Sequence, residues 1–420
     1  MRASFARARA ARLACAALLA LAATASAAGQ DRPEAARGED FDAMWRAVDS
    51  RYAYFDDGGA AWSRARATWR PRAARARTGR AFVAALEGAL ATLGDDHVSV
   101  SRRSHESARR IPAETDLWAS WKDGAAVIEA VRTYSDADLA GVHPGEVVTR
   151  VGGEPIADAV RDRVGASATP VERDRALRAL LAGPRFGTLR LTLRDAGRTR
   201  DVSIARAAAS APGPTSVVPH RMGEARDIGY LRLKGATSDA MLLSQLDASI
   251  TMLRGTRGLI VDLRESSGPA SRETTAAILA RFASPGTPWQ LRESRGGARV
   301  ADLVPAGHRS PPYDAPIVVL ADRWTEGEGE ALAAGLHEAA HARIAGTPSA
   351  GLRGDLGSVV LPHSRIVVRF PVERPFLLDG RPRESLRPEI PVDLAAPSGG
   401  PGDPVLYQAL KAFETARPAR

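Results

Sequence analysis

The chain has 420 residues, 44% of them hydrophobic and 25% charged, and carries a formal net charge of +9. That length supports two or three domains with cores of their own, and the composition excludes collagen-like, mucin-like and polytopic membrane proteins. Removing the first thirty residues, which hold Arg2, Arg7, Arg9 and Arg12 and no acid, lowers the charge to +5; only Lys122, Lys234 and Lys411 among the 58 basic residues are lysines.

The N-terminus combines four arginines, an apolar stretch from Leu13 to Ala23 and the small-residue run Ala25-Ser26-Ala27-Ala28. These are the three parts of a secretory signal peptide, so residues 1–28 are expected to be removed after Ala27 or Ala28. No later run approaches the roughly 18 apolar residues of a membrane span. Cys15 is the only cysteine and lies inside this segment. The mature chain therefore offers no disulfide, cysteine nucleophile or thiolate metal site, and a periplasmic or secreted location is expected.

A helical cap is expected over 38–115, because Phe41, Met44, Trp45 and Val48, then Phe82, Leu86, Leu90 and Leu93, recur at helical spacing. Arg70, Arg72, Arg75, Arg77 and Arg80 lack interleaved aromatics along the chain, so the run reads as a solvated face rather than a nucleic-acid surface. A small β domain is expected over 120–208, from short β-rich runs such as Ala126–Ile128, Glu146–Val148 and Thr188–Leu193 between Gly and Pro turns. After a linker at Ala211-Pro212-Gly213-Pro214, strand and helix alternate: Gly258–Leu263, a helix from Thr274 to Phe282, Ile317–Ala321, and a helix from Glu328 to His341. That alternation implies a parallel α/β core, taken as 225–398, followed by a tail over 399–420. In such sheets the chemistry lies beyond the carboxyl ends of the strands.

Two resemblances follow from the strings themselves. Ala140-Gly141-Val142-His143-Pro144-Gly145, continuing to Ile156, resembles a PDZ module. Such modules add a peptide to a sheet edge and hold its terminal carboxylate on backbone N–H groups, which makes Gly141, Val142 and Gly145 the expected peptide-binding positions. Asp95-Asp96-His97-Val98, Ile228–Leu231, Val261–Arg264 with Gly268, Asp322–Thr325, Gly346-Thr347-Pro348, and Asp379-Gly380 with Glu384 and Pro388 together resemble the C-terminal-processing, or tail-specific, serine peptidases. The likeness is strongest to their tricorn-core-like branch. It implies a core of ClpP/crotonase-like type, no cofactor, a polypeptide or C-terminal peptide as partner, and catalysis by a serine at a helix N-terminus. It gives His97 the place of the base, Glu384 that of the acidic member, and Gly268 and Glu328 those of backbone oxyanion donors.

The chemistry departs from the pattern at two points. Where the family reads Thr-x-Ser-x-x-Glu, this chain reads Thr325-Glu326-Gly327-Glu328-Gly329-Glu330, with glycine at the nucleophile position. Where the family has a Gly-Gly pair, the run is Gly268-Pro269, and proline has no N–H to offer. No lysine lies between Lys234 and Lys411, which removes a Ser-Lys dyad. The expectation is a protein that binds peptides with weak or lost hydrolysis. One alternative is an active serine peptidase using Ser349, Ser358 or Ser267. Another is a zinc peptidase through His337-Glu338-Ala339-Ala340-His341, an H-E-x-x-H match that lacks a third ligand at usable spacing; the same histidines, closing a helix that opens with Glu328 and Glu330, complement its dipole, and no metal is expected.

Overall fold

The computed structural model describes residues 34–55, 59–206, 216–234, 239–267, 271–308, 310–396 and 402–414. The expected signal segment, the linker at 211–214, and Gly268 and Pro269 lie outside them. The chain divides into two compact units. The smaller comprises residues up to Gly94 with Val98–Ser104 and Gly357–Phe370; the larger comprises Asp95–His97, His105–Leu356 and Pro371–Arg420.

The smaller unit is built on helices 34–51, Ala60–Ala74 and Gly79–Ala91. Phe41, Met44 and Val48 of the first, Trp62 of the second and Phe82 and Leu86 of the third are buried. Thr78 caps the third helix by accepting from the Ala81 N–H at 3.1 Å, the role for which threonine is favoured at that position. Residues 357–370 join this unit because their backbone is held there. Ser99 and Val100 pair antiparallel with Arg369 and Val368, and the Asp40 carboxylate accepts from the His363 and Ser364 N–H groups, each at 2.8 Å.

In the larger unit, an antiparallel sheet runs in the order Leu117–Lys122, Ala125–Val131, Val147–Val151, Gly187–Asp195, Arg198–Arg206. Its two tight hairpins turn on Asp123-Gly124 and Ala196-Gly197, all with positive φ, which matches strand twist and favours glycine at the second position. Two helices not anticipated from the sequence, Ile156–Val164 and Pro170–Ala182, cover this sheet. Leu177 and Leu181 of the second bury against Ile128, Leu191 and Ile204.

The α/β core holds a second sheet in the order Ile390–Pro391, Arg343–Gly346, Ile317–Ala321, Gly258–Asp262, Ile228–Lys234, Ser216–Met222. All neighbours are parallel except the last pair, an antiparallel hairpin. Gly258–Asp262 and Ile317–Ala321 are buried along their full length, as uninterrupted apolar parallel strands must be. Successive side chains alternate between faces: Leu259, Val261 and Val319 meet helices Asp239–Leu253, Arg272–Leu279 and Glu328–Ala340 on one side. Ile260, Val318 and Leu320 meet Val405, Ala409 and Phe413 on the other.

Those last three residues belong to a helix, Pro404–Glu414, in the segment expected to be a tail. Their i, i+4, i+8 spacing makes the apolar stripe that binds it to the sheet. A Cβ on Gly258 would lie 2.3 Å from the Phe413 ring, so only glycine lets the helix close on the strand. Among the described residues no helix is long and apolar enough to cross a membrane.

Candidate active site

Thr325 organises the loop after strand Ile317–Ala321. It is fully buried, donates its hydroxyl to the Leu263 carbonyl at 2.9 Å and accepts from the Asp322 N–H at 3.0 Å. The Glu326 N–H then donates to Ser266 at 3.0 Å and the Gly329 N–H to Ser267 at 3.2 Å. These bonds join the ends of the two central strands, and between them the chain turns into helix Glu328–Ala340 through Gly327.

Gly327 has φ 55° and ψ −119°, a conformation that costs an L-residue of order 1–3 kcal/mol and collects at functional sites. Nucleophiles on strand-to-helix turns sit in such strained backbone, so that the side chain is thrown clear of the helix. Here the turn is kept and the side chain is missing. A Cβ built on Gly327 would lie 3.7 Å from His97 Nε2 and 3.9 Å from the Ser267 carbonyl.

His97 thus faces position 327. Its backbone N–H is turned by Asp95, which accepts it at 2.9 Å. Its Nδ1 lies 2.7 Å from the Arg353 carbonyl. A carbonyl only accepts, so Nδ1 carries a hydrogen, and in the neutral ring Nε2 is then the nitrogen whose lone pair is on the side of Gly327. A backbone oxygen thus holds the ring. Glu384 itself lies in the short turn Arg383–Ser385. Burial pushes its titration upward, and its Oε2 is buried without a hydrogen-bond partner.

The loop carrying Arg353 is held by Glu330. Its Oε1 accepts from Ser349 Oγ at 2.7 Å and the Gly351 N–H at 2.8 Å; its Oε2 accepts from the Leu352 N–H at 3.1 Å and the Gly327 N–H at 3.3 Å. Burial raises its titration, while these donors and the buried Arg383 favour the anion. Ser349 is thereby committed to Glu330. Ser267 is used through its carbonyl, and Ser358 belongs to the smaller unit, where its carbonyl accepts from Arg51 at 3.1 Å. Burial also pushes Glu326 up to about 7, against the nearby Arg110 and Arg132, and Asp322 up to about 6 despite the Glu265 and Trp324 N–H donors. Glu328 is raised too, by burial and by Asp355, and accepts from Thr275 Oγ1 at 2.8 Å.

On the oxyanion side, Gly268 lies outside the described residues. The Glu328 N–H, at the start of the helix, makes no hydrogen bond to a described residue, which leaves it available in the manner of other helix N-termini. The peptide-binding positions need correction. The N–H groups of Gly141, Val142 and Gly145 donate to the Asp138, Ala137 and Ile128 carbonyls at 2.9, 3.0 and 2.8 Å. The turn consumes these donors to close on itself, so they do not hold a carboxylate.

The H-E-x-x-H motif also resolves into structure. His337 Nδ1 faces the Ala342 carbonyl and Glu389 Oε1, both at 3.0 Å. His341 has left the helix as its left-handed cap, with φ 55°, so the two imidazoles do not share a helical face. Among the described residues no group of three His, Cys, Asp or Glu side chains is placed to hold a metal.

Residues 227–392 match the model of peptidase family S41, and residues 33–91 that of the tricorn protease C1 domain. No curated protein matches the chain. Among solved structures, a photosystem II D1 C-terminal processing protease is 22% identical with a TM-score of 0.54, covering 86% of this chain and 94% of that one. Mature CPAF is 15% identical with a TM-score of 0.57, covering 90% and 95%. These likenesses extend to the fold.

Proposed function

We propose, from the premise that residues 227–392 are a peptidase family S41 domain, that this serine-peptidase fold serves as an exported binder of peptides or unfolded chains whose hydrolysis is weak or lost. The observation that carries the proposal is Gly327. A strained turn at a helix N-terminus and a ring nitrogen of His97 3.7 Å from the Cβ point surround a position with no hydroxyl, and the acyl-enzyme route requires one; this supports the reading. Export rests on the signal-like residues 1–28, and N-terminal sequencing of secreted material should read from Ala28 or Gly29.

The sheet over 117–206 is the peptide-binding element in this reading, by the PDZ-like string it contains. Since the turn at 141–145 is closed, binding passes to the outer edge of Leu117–Lys122, which among the described residues pairs on one side only. Edge strands accept an added strand through backbone hydrogen bonds. One outward donor, the Trp121 N–H, is covered by the Asp174 carboxylate at 2.8 Å. Calorimetric titration with an extended, unstructured peptide should show saturable binding that tightens in Asp174→Ala. Absence of binding in both proteins would remove the peptide reading.

A further inference from the structure

The position left by the missing side chain is bounded by two acceptors. The Cβ point of Gly327 lies 3.7 Å from His97 Nε2 and 3.9 Å from the Ser267 carbonyl, and among the described residues no other counted atom lies within 4 Å. The Arg353 carbonyl fixes the ring with its lone pair on Nε2. A water molecule beside Gly327 would donate one hydrogen to Nε2 and the other to Ser267, and its remaining lone pairs would point out toward a substrate. The Glu328 N–H, free of hydrogen bonds to described residues, is one residue further on, at the start of the helix.

We propose that this centre hydrolyses activated esters by direct attack of water, with His97 as general base and no covalent intermediate. The water oxygen bonds to the ester carbonyl carbon as its proton passes to His97 Nε2, and the Glu328 N–H donates to the oxyanion. The tetrahedral adduct then collapses, the carbon–oxygen bond to the leaving group breaks, and His97 returns its proton to the departing oxygen. Water and ester give one carboxylic acid and one alcohol. Substrates with a good leaving group, such as aryl esters, suit the site. One oxyanion donor is assigned where a peptidase uses two, and each such donor is worth roughly 100- to 1000-fold. Amides, with their poorer leaving groups, fall below a useful rate.

This activity shares with the peptide-binding reading only the glycine at 327. The calorimetric titration decides that reading and an ester assay decides this one. Full-length mature protein is mixed with p-nitrophenyl acetate. The wild type should release nitrophenol linearly above the buffer rate, with no burst equal to the protein concentration and no inhibition by a fluorophosphonate. His97→Gln should lower the rate by about 100-fold or more, the usual worth of a general base. Gly327→Ala, whose methyl would stand 3.7 Å from His97 Nε2 and crowd a water held there, should lower it comparably, so the test does not hang on one variant. A wild-type rate equal to buffer, a rate retained in both variants, or a stoichiometric burst would overturn the proposal.

Discussion

Removing the Glu330 carboxylate should unfasten the loop that positions His97. Glu330→Ala strips the acceptor from one hydroxyl and three backbone N–H groups: Ser349, Gly351, Leu352 and Gly327. A buried donor left unpaired costs about 1–3 kcal/mol. Ser349 and Gly351 lie in part-exposed surroundings where water restores some of that, so a net loss of about 3–5 kcal/mol is expected. Arg383, buried and facing Glu330, keeps Asp355 at 2.9 Å as its main partner and does not add a second orphan charge. Glu330→Gln keeps one oxygen but turns an NH2 toward either pair of donors, so about half the loss, roughly 2 kcal/mol, should appear. Urea unfolding followed by tryptophan fluorescence measures both. An Ala variant within 1 kcal/mol of wild type, or a Gln variant as damaged as the Ala, would refute the four-donor account.

Glu326 is held up to about 7 by burial, against an ordinary glutamate near 4.5. A carboxyl raised in the folded state supports stability below its unfolded value and loses that support as pH rises through the folded one. Stability should therefore decline between about pH 4.5 and 7, and Glu326→Gln should flatten that decline and gain on the order of 2–3 kcal/mol at pH 8; an unchanged pH profile would count against it. His337→Gln should cost about 1 kcal/mol, because it removes the ring's contacts with Glu389 and with the Ala342 carbonyl at the helix end. Metal analysis of the wild type should find less than a tenth of an equivalent of zinc; one equivalent that disappears in this variant would revive the H-E-x-x-H reading.

The parallel core was legible because its strands are continuous apolar runs that admit no other placement. Gly327 was legible because Thr325 and Glu330 fix its register. The closing helix Pro404–Glu414 was not, because its stripe follows a Gly- and Pro-rich stretch that resembles the end of a domain. The small sheet gave up its strands through alternation and hid its two helices, whose arginine-rich outer faces dilute the apolar period. The carbonyl that orients His97 carries no residue signature at all: backbone atoms are the same at every position, and only the fold brings Arg353 to the ring. The same blindness explains the turn at 141–145. The sequence shows glycines that permit backbone capture, and only the structure shows that the turn itself has taken those N–H groups. The basic helix offers a last case. Arg66 and Arg72 stack on Trp45 and Trp69, with guanidinium-to-ring distances of 4.8 and 4.6 Å, and Trp45 comes from a different helix.

The central claim is that this site keeps the strained turn and the facing histidine of a serine peptidase but has lost the nucleophile. The direct measurement is turnover of an unstructured polypeptide by wild type, Gly327→Ser, and Gly327→Ser with His97→Ala, each with and without a fluorophosphonate. The account predicts no inhibitor-sensitive cleavage by wild type. It predicts measurable cleavage and labelling at position 327 in the serine variant, despite about 1–3 kcal/mol of backbone strain, and loss of that cleavage when His97 is removed. Robust fluorophosphonate-sensitive cleavage by the wild type would contradict it.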